Sequence, residues 1–390
     1  MEEGDVGVVG DERELKEFAA VVGWAFGSPP AKASDWLTRG GVDNVRVVRS
    51  DGKVIGGLLE VPMGQWFQGR SVPMLGIAGV AVAAEARGRG VALSLMQRTL
   101  RDARTRGFGL SALYPATNTL YRAVGYELAG TYYRYSMRAS DCPREKSELR
   151  ALLTTPADQQ EIVALYRDAA KQRSGYLDRG PFAWNRVREP HEEPALGVLV
   201  RGSTGLEGYA YMSQRPSNTG DYELVLSDLV AKNPRALTGL FNFLAEHRST
   251  AGNIIWRASL ADAALFAFQE HVFNVALEKY WMLRVIDVPA ALQARGYPSI
   301  DVEVALEIED ELLPENSGVH RLSVQQGKAS VMRARGSGVR IGPRALAALY
   351  AGFMSAEELE RAGMLSGSAS ALSTLSLLFS GPAPAMVDYF

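Results

Sequence analysis

The chain has 390 residues, length for two or three domains, and its 47% hydrophobic and 22% charged content is that of a globular protein. A formal net charge of −2 gives no electrostatic case for nucleic acid or an anionic membrane as partner. The single cysteine, Cys142, excludes an internal disulfide framework and fits a reducing cytoplasm.

In chain order, the acidic start MEEGDVGVV lacks the basic region and apolar core of a signal peptide. Val6–Val9 reads as a short strand. Asp11 can cap a helix whose Leu15, Phe18 and Val22 share one face. The branched runs Val45–Val48, Val54–Val61 and Met74–Val82 are predicted strands. Leu93, Met96, Leu100 and Ala103 stripe the next helix, which Arg106-Gly107 ends. A strand at Leu110–Tyr114, a short helix bearing Leu120-Tyr121 and a return strand YYRYSMR complete the first part. Ala139–Ser147 is polar, contains a proline and reads as a linker.

The same order then recurs. Ile162, Leu165, Tyr166 and Ala169 stripe a helix, and strands follow at Leu196–Val200, Tyr209–Met212 and Leu224–Val230. Asn233-Pro234 is a cap and first-turn pair for a helix with Leu237, Leu240, Phe241 and Leu244 inside. A strand NIIWRA, a predicted helix ADAALFAFQEH and a return strand ending KYWMLRVI close this second copy. From Asp287 the character changes: Val302, Val304, Leu306 and Ile308 alternate as in a half-buried strand, GVHRLSV and ASVMRA continue the sheet, and PRALAALYAGFMSAEELERAG is helical. This predicts a third, separate α+β domain. Ala362–Val387 carries no charge, but Ser, Gly and Pro dilute it too far for a membrane span, so it reads as a buried tail.

The copies differ between strand and helix. The first has AAEARGRGVA; the second has AKNPRALT, without glycine. Backbone N–H groups at a helix start lack partners within the helix, and the helix dipole makes that end partly positive. Glycines let a ligand approach the main chain, and arginines add charge-assisted bonds. Together they suit a pyrophosphate. A Walker loop is excluded, because no Gly-Lys is followed by Ser or Thr. A dinucleotide fingerprint is excluded by Leu93, where its third glycine would stand.

The remaining pattern is Arg-x-x-Gly-x-Ala, met by Arg87, Gly90 and Ala92. It resembles the coenzyme A turn of the GCN5-related acetyltransferases. The preceding GVAV is similar to that family's pantetheine-pairing strand, and LYRAVGYE (Leu120–Glu127) to its second signature. The whole-chain order resembles the Eis (enhanced intracellular survival) family within that superfamily, and KYWMLRVIDVPAAL resembles its junction into the third domain. The implied fold class is α/β with α+β. It comprises an acetyl-CoA-binding acetyltransferase domain at 1–140, a degenerate second one at 148–286 and a sterol-carrier-protein-like α+β domain at 287–390.

The resemblance implies a cytoplasmic acetyl-CoA-dependent N-acetyltransferase acting on a primary amine of an aminoglycoside- or polyamine-like molecule or a lysine side chain. Val80, Ala81 and Val82 would contact pantetheine. Arg87, Gly88, Arg89, Gly90, Val91, Ala92 and Leu93 would hold the pyrophosphate, and Ala116 and Thr117 would line the far side. The family often has three consecutive arginines where this chain has Arg87-Gly88-Arg89, so one phosphate-pairing side chain is missing. Tyr121 occupies the general-acid position, and Tyr126 is the core tyrosine of the two. Phe390 stands where the family's terminal α-carboxylate accepts the amine's proton. Asp35, Trp24, Phe26 and Trp36 lie in the region of the family's substrate wall. A homo-oligomer, a hexamer in the family, is implied too. The four scattered histidines show no metal-ligand spacing, and no Gly-x-Ser-x-Gly supports a hydrolase, so no metal is expected. Two alternatives stay open: transfer of another acyl group, and a lipid or sterol binder using the third domain.

Overall fold

Residues 5–217, 221–266, 268 and 270–390 are described by the computed structural model. Strand β1 (Asp5–Val8) leads into α1 (Glu12–Phe26), where the Asp11 side chain accepts from the Glu14 N–H at 2.8 Å and so caps the first turn. Helix α2 (Pro30–Gly40) precedes an antiparallel run of β2 (Val45–Ser50), β3 (Lys53–Phe67) and β4 (Arg70–Val82). Next come α3 (Val91–Thr105), β5 (Leu110–Leu113), α4 (Asn118–Ala123) and β6 (Glu127–Arg138). The buried side of α3 is Leu95, Met96, Thr99, Leu100 and Ala103, while Leu93, in its first turn, stays half-buried.

The second copy runs β7 (Ala151–Leu153), α5 (Gln159–Ala170), β8 (Leu177–Asp178), α6 (Pro181–Arg188), β9 (Leu196–Gly202), β10 (Gly205–Pro216), β11 (Tyr222–Ala231), α7 (Pro234–Ala245), β12 (Ala251–Ala258) and β13 (Phe273–Val285). The helix predicted at Ala261–His271 is instead a single 3-10 turn at Ala263–Phe266, with Ala267 and Gln269 outside the described residues. Asp262 Oδ1 accepts from the Ala264 N–H at 2.9 Å, closing a local Asx turn that competes with a helix start.

Contacts divide the chain into two compact units. The first holds residues up to Ala129, Trp281–Gly381 and Phe390; the second holds Gly130–Tyr280 and Pro382–Tyr389. In the first unit the sheet order is β1-β2-β3-β4-β5, closed by Met282–Val285 of β13 against β5. In the second it is β7-β9-β10-β11-β12, closed by Tyr133–Arg138 of β6 against β12. Each sheet thus ends on the return strand encoded in the other copy. The carrier-like segment keeps a sheet of its own and packs within the first unit. It comprises α8 (Val288–Ala294), β14 (Val302–Ile308), β15 (Gly318–Gln325), β16 (Lys328–Arg333), β17 (Val339–Ile341), α9 (Pro343–Ala351), α10 (Ala356–Arg361), β18 (Leu365–Ser366) and α11 (Ala369–Leu378). The sheet order there is β16-β15-β14-β17-β18. Among the described residues no helix is long and apolar enough to cross a membrane.

Candidate active site

Strands β4 and β5 run parallel but pair only through Met74–Gly76 and Leu110–Ala112, so β4 goes on toward the Arg-Gly turn paired only with β3. A register shift against β3 bulges β4 between Ala78 and Ala81. Gly79 sits in that bulge at φ +59°, and a Cβ there would lie 2.6 Å from the Trp36 ring. Glycine is therefore required both by conformation and by the tryptophan above it. Val80 and Val82 are half-buried and Ala81 is buried, on a strand end whose β5 side carries no ladder.

A 3-10 turn at Ala84–Ala86 leads to Arg87, Gly88, Arg89 and Gly90, all four exposed. Gly88 and Gly90 take φ of +76° and +83°, a region that only glycine enters cheaply. Around both, the space a Cβ would fill is free of protein atoms within 4 Å. Gly90 is the N-cap of α3 and offers no side chain, so the amides of Val91, Ala92 and Leu93 open the helix without a side-chain cap. Arg87 Nε donates to the Val82 carbonyl at 3.3 Å, folding its guanidinium back along the strand end. The second copy is built differently at the same place. Asn233 Oδ1 accepts from the Ala236 N–H at 2.9 Å, Pro234 has no N–H to offer, and Arg235 Nε is paired with Glu207 at 2.8 Å. The Asn233 cap and the proline thus leave fewer open amides at this helix start than Gly90 leaves at α3.

Beyond β5, Ala116 and Thr117 are exposed, with Thr117 at the N-cap of α4. Tyr121 on α4 is 6% exposed and meets Tyr126 edge-on, ring centroids 6.0 Å apart. Burial pushes the Tyr121 hydroxyl up to about 12, so it keeps its proton through the physiological range. Among the described residues no hydrogen bond holds that hydroxyl. The Tyr126 hydroxyl, by contrast, donates to Ser111 Oγ at 2.7 Å, and Ser111 Oγ donates to the Leu75 carbonyl at 2.7 Å.

Phe390 is 7% exposed. Its ring lies 6.0 Å from that of Tyr114 and covers Gly76, where a Cβ would fall 2.8 Å from the Phe390 ring and 2.7 Å from Met63 Cε. Gly76 thus makes the slot, a residue the sequence reading passed over. The available signal was a glycine inside an otherwise branched strand, which marks a close approach. In the second unit Asp388 meets Arg179, whose Nη2 lies 2.7 Å from Oδ1, and Arg179 Nη1 also pairs with Asp228 at 2.5 Å. The substrate-wall residues divide: Trp36 is half-buried over Gly79, whereas Asp35, Trp24 and Phe26 are exposed. Among the described residues no cluster of His, Cys, Asp and Glu could hold a metal ion.

Models of the acetyltransferase (GNAT) domain match residues 10–129 and 175–285, and a sterol carrier protein domain model matches 288–387. The chain is 30% identical over 317 residues to an uncharacterized N-acetyltransferase of Streptomyces avermitilis, covering 76% of each. It is 31% identical to a GCN5-related N-acetyltransferase of Anabaena variabilis, with a TM-score of 0.94 over 99% of this chain and 100% of that one. A GCN5-related N-acetyltransferase of Kribbella flavida gives 31% identity and a TM-score of 0.87, covering 100% and 99%. The fold is also that of Eis1 from Mycobacterium abscessus, at 24% identity and a TM-score of 0.80 over 99% of this chain and 100% of that one. With two acetyltransferase modules, one sterol-carrier module and relatives of this similarity along most of its length, the chain is an N-acetyltransferase and belongs to the GCN5-related family, in the architecture it shares with Eis1.

Proposed function

We propose that the chain transfers acetyl from acetyl-CoA to a primary amine, of an aminoglycoside- or polyamine-like molecule or a lysine side chain, using the first repeat alone. The observation that carries this is the uncapped start of α3: Gly90 leaves three helix amides open just after two exposed arginines, whereas Asn233 and Pro234 close the same place in the second repeat. Arg87, Gly88, Arg89, Gly90, Val91, Ala92 and Leu93 would hold the pyrophosphate, Val80–Val82 the pantetheine amides along the unpaired edge of β4, and Ala116 and Thr117 the opposite side. Acetyl-CoA supplies an activated acetyl thioester.

The rest is proton handling by this chain. As the C–N bond forms and the C–S bond breaks, the amine sheds a proton and the departing sulfur needs one. The Tyr121 hydroxyl, still protonated below about 12, donates to the sulfur. The Phe390 α-carboxylate accepts from the amine, its position set by the ring seated on Gly76. Main-chain N–H groups near Val82 polarise the acetyl carbonyl. A cytoplasmic homo-oligomer belongs to the same reading. Mass spectrometry of an amine panel incubated with acetyl-CoA tests it: a mass gain of one acetyl group on primary amines is expected. Transfer only from longer acyl-CoAs, or none to any amine, would contradict it.

A further inference from the structure

Behind the turn that carries Tyr121 lies a buried cation that the reaction as described does not use. Arg284, on β13, is 1% exposed and finds an acceptor for each of its three nitrogens. Its Nε donates to the Val124 carbonyl at 3.0 Å and its Nη1 to the Val285 carbonyl at 3.1 Å. Its Nη2 reaches both oxygens of Asp310, at 2.7 and 2.8 Å. Asp310 is itself 2% exposed and accepts from the Leu313 N–H at 3.1 Å and from Asn316 Nδ2 at 3.0 Å. Taking both charges out of water costs several kcal/mol per ion unless geometry and further hydrogen bonds offset it, so a satisfied pair of this kind is built to fix a position.

The position fixed is the end of α4. The Val124 and Tyr126 amides both donate to the Tyr121 carbonyl, at 3.1 and 3.0 Å, so the peptide held by Arg284 belongs to the same turn as Tyr121. Gly125, at φ +87°, lets the guanidinium lie flat on it, since a Cβ there would stand 2.8 Å from Arg284 Nε. The hydrogen bond of Tyr126 to Ser111 pins the other side of the turn to β5. One guanidinium therefore joins the first repeat, the strand of the second and the loop after β14 in the carrier-like segment.

We propose that Arg284, oriented by Asp310, is a positioning residue for acetyl transfer: by holding the Val124 carbonyl it aims the Tyr121 hydroxyl at the departing sulfur. The carrier-like segment then serves transfer by bracing the proton donor. This rests on the reading of Tyr121 as the acid, and the test separates the two. Asp310→Asn and Arg284→Lys are each made in the full-length chain and again with Tyr121→Phe. Turnover and acetyl-CoA affinity are measured on all the resulting proteins.

Expected is a fall in kcat of about 10-fold or more for both substitutions with acetyl-CoA affinity within about 2-fold, and no further fall when Tyr121→Phe is already present. If Tyr121→Phe alone keeps full turnover, the acid assignment fails and the brace loses its purpose. If Tyr121→Phe is slow but Asp310→Asn and Arg284→Lys turn over at full rate, the brace alone is overturned. Equal losses in both backgrounds, or loss of folding together with coenzyme affinity in both substitutions, would reduce the pair to a structural one and overturn it as well.

Discussion

Two neighbouring tyrosines are given opposite work by what surrounds their hydroxyls. The Tyr126 hydroxyl donates to Ser111 at 2.7 Å, whereas among the described residues no such bond holds the hydroxyl of Tyr121, a residue 6% exposed. Tyr121→Phe should therefore lower kcat by about 10²-fold with acetyl-CoA affinity unchanged, because the proton is given up only as the thioester breaks. Tyr126→Phe should cost about 1 kcal/mol of stability, read by denaturant unfolding, and leave turnover near wild type. Reversed effects would exchange the two roles. Because burial lifts Tyr121 to about 12, the kcat profile should show no basic limb from this residue near the ordinary tyrosine value of 10.0; a limb there that disappears in Tyr121→Phe would contradict it. The Arg-Gly turn was visible in the sequence because it depends on spacing within a few residues, and the two tyrosines were singled out by the resemblance of Leu120–Glu127 to the family's second signature. Gly76 and Arg284 were not, since their purpose is set by Phe390 and by Asp310, remote in the chain.

At the scale of elements, the start of α1 and the C-terminal tail are both held by charge. Glu14 accepts from the Gly10 N–H at 2.7 Å and from Arg49 Nε at 2.7 Å, and the Arg49 hydrogen bond is the largest cause lowering its pKa from 4.5 to about 2. A depressed carboxyl contributes stability that is fully present above 4.5 and is lost as pH falls toward about 2. Glu14→Gln should accordingly melt lower at neutral pH and lose less between those two values in a thermal-unfolding series; an unaltered acid profile would contradict the coupling. In the tail, Asp388 and Arg179 have side chains 7% and 1% exposed, and Tyr166 donates to Asp388 Oδ2 at 3.2 Å. Replacing Asp388 with Ala leaves a buried guanidinium short of one carboxylate and should cost about 3–5 kcal/mol of stability, measured by chemical denaturation. A loss within about 0.5 kcal/mol, as at an ordinary surface site, would contradict the clamp. Strand and helix positions were mostly readable from periodicity. The exchange of return strands was not, because YYRYSMR and KYWMLRV are equally good edges for either sheet.

Across the molecule, the two repeats differ at the helix start where the proposed function places the pyrophosphate. The sequence showed the contrast as glycines present and absent. The structure adds its physical form: a left-handed Gly90 with open amides in one, and an Asn233 cap followed by a proline in the other. The proposed function accordingly expects one coenzyme site per chain. A glycine at φ +83° with nothing within 4 Å of its missing Cβ tolerates a side chain sterically but not conformationally, and a side chain there would project into the space the proposed function gives the pyrophosphate. Arg235, already paired with Glu207, has no part in it. Calorimetric titration of acetyl-CoA into the wild type, Gly90→Val and Arg235→Ala tests this most directly. One site per chain is expected in the wild type and in Arg235→Ala, with affinity at least about 10-fold weaker in Gly90→Val while its melting profile still reports a folded protein. A second site per chain, binding weakened by Arg235→Ala, or undiminished affinity in Gly90→Val would contradict it.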